Sequence, residues 1–193
     1  MGRKARYDKE QFIGGALKIL AERGPAGVTM NAVAEETGAP IGSVYHRFVS
    51  RDVLMAELWF QVVESFQRGF LIALEQGDGL EAALHTPRWV REHPKEGRVL
   101  LLHRRDDFSR GEWPDDIKAH AVSLAAELRK GIRSFVRKKF GRMSKRAMDR
   151  TVFVLVDAPH AAVRRYLESD EVPPDIVDEL IRETYYAVYK EDL

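Results

Sequence analysis

The sequence has no cysteine among its 193 residues, which excludes disulfides, thiolate metal sites and thiol nucleophiles together. It also has almost no charge imbalance. A formal net charge of +1 is too small to argue for a nucleic-acid partner from the electrostatics of the whole molecule, so any such argument has to come from local pattern. No uncharged apolar stretch approaches the roughly 18 residues of a membrane span, and no membrane is expected as a partner. The mildly apolar run from Phe12 to Leu20 carries Lys18 inside it, which defeats a secretory signal and leaves an amphipathic helix. A cytoplasmic chain is the expectation. Internal repeats, low-complexity tracts, glycine-rich phosphate loops and a Gly-x-Ser-x-Gly elbow are missing as well, so neither a catalytic residue nor a cofactor nor a metal is expected.

What is present reads as a folded globular chain, because 45% hydrophobic and 32% charged residues fit neither disorder nor a fibrous class. Helical signals run from end to end. Asp8 and Gln11 form a capping box ahead of Phe12, Ile13, Ala16, Leu17 and Leu20, which recur at helical spacing until Gly24-Pro25 stops them. Thr29 caps a two-turn segment from Met30 to Thr37 that Gly38 ends, and Ala39-Pro40 separates it from Ile41 to Phe48. Ser50 and Asp52 open a helix reaching about Gln76, roughly 37 Å long at 1.5 Å per residue.

Gly77-Asp78-Gly79 is the clearest break, followed by shorter segments punctuated by Pro87 and Pro94 and by a charged loop from Arg104 to Trp113. Pro114 opens a helix that Gly141 closes, and Ser144 caps the next, which continues to about Leu167. Thr151 to Val156 is β-branched enough for a strand, but no turn residues flank it, so a buried helix is predicted. Pro173-Pro174 begins the last helix, with Val177 among the apolar residues on one side. The expected fold is all-α with about nine helices. A helix-turn-helix unit over 1–50, preceded by a basic arm over 1–7, leads into a larger helical unit over 51–193.

The informative stretch runs from Thr29 to Asp52, TMNAVAEETGAPIGSVYHRFVSRD. Two helices of two turns each are too small to fold alone and have to cross closely over a third. Ala34 is small enough for that crossing, and Gly38 accepts the left-handed backbone of the turn. Val33, Val44 and Phe48 supply the shared apolar contact. The outer side of the second short helix then carries Pro40, Ile41, Gly42, Ser43, Tyr45 and His46. Gly and Ser permit close approach to a duplex, Tyr and His can donate to phosphates, and Ile can meet a thymine methyl. A compact three-helix core without a DNA role is the plain alternative. The arm residues Arg3, Lys4 and Arg6 suit either minor-groove insertion or a solvated tail.

In these residues the sequence resembles the TetR family of bacterial transcriptional regulators. The resemblance rests on the first-helix pattern through Gly24, the V-T-M-x-x-V-A segment Val28 to Ala34, the turn Thr37-Gly38 and S-V-Y-H-R-F from Ser43 to Phe48, followed by Leu54. It implies a recognition helix in the major groove, with Thr29, Tyr45 and His46 on the phosphates. Where the family commonly places a Lys after the aromatic end of that helix, this chain has Arg51, which keeps the charge with a different geometry.

One short recognition helix reads few base pairs, so a homodimer on pseudo-palindromic operator DNA is expected. By the same resemblance the last two helices form the interface, through Val154, Asp157, His160, Ala161, Arg164, Ile176, Leu180, Ile181, Thr184 and Val188. Burial of those faces inside one protomer is the alternative. The resemblance further implies a small-molecule effector among the middle helices, for which Trp59, Phe66, Phe70, Trp89, His103, Phe108, Phe135, Phe153 and Asp157 are candidate lining residues, against a plain core role. Asp157 lies one turn from His160 in an apolar stretch, as an interface or core ion pair with Arg164 or Arg165 or as a binder of a cationic or hydroxyl-bearing effector.

The cations from Arg129 to Arg146 form a further cluster, read as a solvated face, a partner for Asp175, Asp178 and Glu179, or a nucleic-acid contact. The expected function is a transcriptional repressor released from its operator by an effector. Two rivals stand beside it: a DNA-binding factor without an effector, and a helical-bundle metal enzyme. The second needs two acid-x-x-His pairs, and the sequence offers only Asp157-x-x-His160 in that setting.

Overall fold

A computed structural model describes residues 7–103, 105–108 and 113–190. Every regular element among them is helical. The order is α1 (Lys9–Gly27), α2 (Met30–Thr37), α3 (Ile41–Arg47), α4 (Arg51–Gln76), α5 (Gly79–Glu92), α6 (Pro94–Leu102) and α7 (Asp115–Phe140), with a short 3-10 turn at Arg105–Phe108. A helix over 145–168, here α8, joins Lys145–Val152, a π turn at Phe153–Asp157 and Ala158–Glu168. Ile176–Tyr189 forms α9.

The local signals act as their chemistry requires. Asp8 Oδ1 accepts from the Gln11 amide at 2.8 Å, and the Gln11 side chain accepts from the Asp8 amide at 3.1 Å, so both capping-box bonds are made. Thr29, Ser50, Asp78 and Ser144 each accept an amide from the first turn of the helix they precede. Gly24 breaks α1 with φ 69° and ψ 179°, a conformation that needs a glycine. Thr151 to Val156 is helical, as its missing turn residues require.

Two prolines lie inside helices, the first against expectation. Pro87 does not punctuate the chain but lies buried inside α5. Pro159 follows the π turn of α8, where the Ala158 amide reaches back to the Phe153 carbonyl. The widened turn makes room for a residue that has no N–H and whose ring would strike the carbonyl four positions earlier.

The helices share one apolar core from Phe12 to Tyr189. Phe12 and Phe48 meet edge to face at 6.4 Å beneath α2 and α3, both essentially inaccessible, and each contributes on the order of 1.5–3 kcal/mol by burial. The long α4 packs on α1, α5, α6 and α7, while α6 also touches α1 and α8, so the N-terminal unit is supported by two helices of the body. Glu64 on α4 bonds His120 on α7 at 2.8 Å, and the Glu75 carbonyl bonds Lys138 at 2.8 Å, so the two helices run in the same direction.

Candidate nucleic-acid interface

The support for α3 is built from one close crossing. A Cβ added at Gly15 would lie 2.8 Å from Thr37 Cγ2, so α1 approaches the end of α2 where only a glycine fits comfortably. Sequence reasoning placed this demand on Ala34 and missed Gly15. The turn itself follows the expectation, with Gly38 at φ 63° and its N–H bonded to the Ala34 and Glu35 carbonyls. Tyr7 donates its hydroxyl to the Gly38 carbonyl at 2.8 Å and stacks on Phe12, fixing the turn against the start of α1. A Lys18–Glu36 ion pair at 2.7 Å joins the first two helices on their outer side, and its hydrogen bond raises the Lys18 pKa.

On this support α3 is anchored through Val44, which is fully buried, while Pro40, Ile41, Gly42, Tyr45 and His46 are exposed. Nothing lies within 4 Å of where a Gly42 Cβ would sit, so the helix start offers bare backbone to a partner. Tyr45 is 53% accessible although it is a large ring, which leaves its phenol free to reach a phosphate. Ser43 is half-buried, less open than expected, and its amide closes the first turn on the Pro40 carbonyl at 2.8 Å. Thr29 is exposed, with its oxygen capping α2. Arg47, at the exposed end of α3, is a further cation on this surface that sequence reasoning left out. Its position in the last turn, beside His46, was the signal. Arg3, Lys4 and Arg6 lie outside the described residues.

Arg51 is a correction. Its Nε donates to the Val28 carbonyl at 2.7 Å, one Nη to the Pro25 carbonyl at 2.6 Å and the other to Asp52 at 3.2 Å. The side chain is only 13% accessible. The guanidinium therefore fastens the first turn of α4 to the end of α1 and is not presented to a phosphate. An arginine fits because its fork reaches two carbonyls from separate nitrogens, a geometry that the single nitrogen of a lysine does not reproduce.

The residues expected around an effector fall into separate groups. Phe66, Phe70, Trp89 and His160 come together around the Phe66 ring, and His85 joins them by bonding its Nε2 to the Phe66 carbonyl at 2.8 Å. Burial lowers the pKa of both His85 and His160, partly opposed by the Phe66 carbonyl in the first and by Asp157 in the second. Trp59 instead packs on Phe60 and Trp113. His103 meets Phe108, and Phe135 sits under Gly79 with Tyr185. Phe153 and Asp157 are corrections, since both are exposed and line no core. Asp157 is not a buried carboxylate, and Arg164 pairs with Glu168 at 2.8 Å.

On the last two helices, Ala161, Arg164, Ile176 and Leu180 face outward with Phe153 and Asp157, while Thr184 and Val188 are half-buried at the edge. Val154 and Ile181 are corrections to the expected face, because each is almost wholly buried within its own protomer.

A short helix seated on two others, with its outer side bare, defines a helix-turn-helix unit attached to a helical body. Residues 12–58 match the sequence model of the bacterial regulatory proteins of the tetR family. The body finds its likeness in solved structures. A TetR family transcription regulator from a Shewanella species superposes with a TM-score of 0.69 at 15% identity, covering 96% of this chain and 98% of that one. The regulator FadR from Bacillus subtilis, solved with stearoyl-CoA, gives 0.72 at 10% identity over 94% and 97%. A transcriptional regulator from a Rhodococcus species gives 0.66 at 19% identity over 97% and 99%. No curated protein matches the chain by sequence. Residues 12–58 are thus similar to the N-terminal segment of the TetR family, and the chain as a whole shares its fold with these solved regulators.

Proposed function

We propose that the chain is a transcriptional regulator that binds pseudo-palindromic operator DNA as a homodimer and is released from it by a small-molecule effector. The observation that carries this reading is the surface of α3. Ile41, Gly42, Tyr45, His46 and Arg47 are open together on a helix whose inner side is locked by Val44 and Phe48. Phosphate contacts from Thr29, Tyr45, His46 and Arg47 position the helix, and Ile41 with the bare backbone at Gly42 faces the base edges. Residues 1–50 form the reading unit and 51–193 the sensing and pairing unit, acting in the cytoplasm where the duplex is.

Dimerisation through α8 and α9 is supported by the exposed apolar side chains there. Phe153, Ile176 and Leu180 are 48%, 48% and 45% accessible and adjoin Ala161, an apolar face that a second copy would cover. An effector is supported by two buried polar atoms on the middle helices, Gln67 Oε1 and Thr86 Oγ1, which have no hydrogen-bond partner among the described residues. It is supported also by the fatty-acyl thioester bound to the Bacillus subtilis relative. Binding would act through α4, which joins the reader to the body, and by linkage the operator weakens effector binding by the same factor.

The metal-enzyme rival has no matching observation. Among the described residues no three His, Asp or Glu come together as a metal site. The test is retention of fragments of the native genome by the purified protein at modest salt, followed by sequencing. Recovery of discrete sites that Tyr45→Ala and His46→Ala no longer bind is the expected result; indifference to every fragment ends the proposal.

A further inference from the structure

The strongest concentration of charge in the molecule lies far from the reader. Between Leu128 and Met148 the sequence has nine Lys or Arg and no acid. Arg129, Lys130, Arg133 and Arg137 are exposed on the second half of α7, and no ion pair joins them to an acid among the described residues. Since α7 runs alongside α4 in the same direction, this face sits by the end of α4 near Glu75 and Lys138, whereas Arg51 fastens the other end to the reader. Leu71, which faces Gly131 among these cations, is roughly 30 Å along α4 from Arg51, so the cations stand well away from the surface of α3.

The face adjoins a seam. A Cβ added at Gly131 would lie 2.5 Å from Leu71 Cδ2, so α4 and α7 approach closely there. Beside that contact a cavity of about 420 Å³ is lined by Leu71, Leu74, Glu75, Glu127, Lys130 and Ser134. A second of about 410 Å³ shares Lys130 and Ser134 and adds Arg129, Arg133 and Arg137. The first is within the size range of small-molecule sites, and the second is an open groove between exposed side chains of α7 that continues it. Passing from the first to the second, the lining changes from carboxylates and leucines, through the shared Lys130 and Ser134, to Arg129, Arg133 and Arg137.

We propose that this seam binds a nucleoside polyphosphate. Glu75 and Glu127 can accept from the N–H and O–H donors of a base and sugar, and Leu71 with Leu74 provides the apolar surface under the ring. Ser134 and the four cations then meet the phosphates, with the arginine forks matched to their oxygens. The ligand class follows from using both linings: a bare anion leaves the carboxylates of the first without a role, and a nucleoside leaves the cations of the second facing solvent. The site is separate from the aromatic cluster around Phe66 and from the outward faces of α8 and α9, and its occupation does not depend on the operator.

The test is calorimetric titration of the full-length protein at low ionic strength with ATP, adenosine and inorganic triphosphate, each without divalent metal. ATP should bind more tightly than either of its parts. The double variant Arg129→Ala, Arg133→Ala should weaken it by at least ~10-fold, since two charge-assisted contacts are lost. Both residues are exposed, so the variant should melt with the parent and still bind operator fragments. ATP should also raise the melting temperature of the parent and not of the variant. Equal affinity for inorganic triphosphate would reduce the site to an adventitious ion only and overturn the proposal. So would absent ATP binding, binding indifferent to the double variant, or a random duplex that needs these two arginines when ATP does not.

Discussion

Replacing Arg51 separates two roles that a cation at this position could have. In the structure its guanidinium serves the Pro25 and Val28 carbonyls and Asp52 at once. Hydrogen bonds to a charged donor contribute about 1.5–3 kcal/mol each. The two carbonyl bonds share one donor group at a partly buried site, so their joint loss in Arg51→Ala should cost less than their sum, about 2–4 kcal/mol. For a chain of this size each kcal/mol lowers Tm by roughly 2–4 °C, giving a fall of about 4–16 °C. Arg51→Lys should recover only part of that, because an ammonium cannot bridge both carbonyls in the same geometry. Melting followed by circular dichroism at matched protein concentration reads the effect, and matching matters because the proposed pairing would make Tm depend on concentration. Operator affinity measured over a salt series at a temperature well below melting supplies the contrast. A phosphate contact would show there as a drop in the salt slope of about one unit. If Arg51→Lys melts like the parent and the slope of Arg51→Ala falls by that amount, the clamp is wrong and Arg51 belongs to the DNA surface.

Further outcomes follow from the same contacts. Gly15→Val should push α1 from α2, costing about 1–3 kcal/mol by overpacking and weakening operator binding at temperatures where the fold persists, as fluorescence anisotropy would report. Tyr45→Phe should reduce affinity for all duplexes nearly equally, whereas Ile41→Ala should change preference among sequences; a binding-site selection distinguishes the two. Leu180→Glu combined with Ile176→Asp should shift sedimentation from dimer to monomer while each protomer keeps its helicity, because both side chains lie outside the protomer core. Burial lowers the pKa of His85, His103 and His160 from the ordinary 6.5. The unfolded chain then binds protons first as pH falls, so their contribution is fully present above about pH 6.5 and is lost as pH drops toward the depressed values. His85→Gln should flatten that acid-side decline in Tm, and an unchanged profile would refute its share.

Much of the fold was legible because its signals are local. Asp8 with Gln11, Thr29, Ser50 and Ser144 announce helix starts through bonds that span three residues, and Gly38, Gly77 and Gly141 announce ends through a backbone conformation that few other residues adopt. The reader was legible for the same reason. Its helices are so short that nearly every position is committed either to the shared contact, as Val33, Val44 and Phe48 are, or to the outside, as Tyr45 and His46 are.

Contacts between distant segments were not legible. Residue type alone could not tell that Arg51 would turn back to carbonyls more than twenty positions earlier, or that Gly15 rather than Ala34 would carry the closest approach. In the body, a helical stripe of large side chains does not say which neighbour it meets. Phe66 with Trp89 and Trp59 with Trp113 separate into different clusters, Val154 turns inward and Phe153 beside it turns out. The sequence by itself determined where helices begin and end and which short one is bare, because capping and periodicity act within a turn or two. Only the tertiary structure decided which side chains are spent on packing and which remain for a partner, because that depends on how helices far apart in the chain cross.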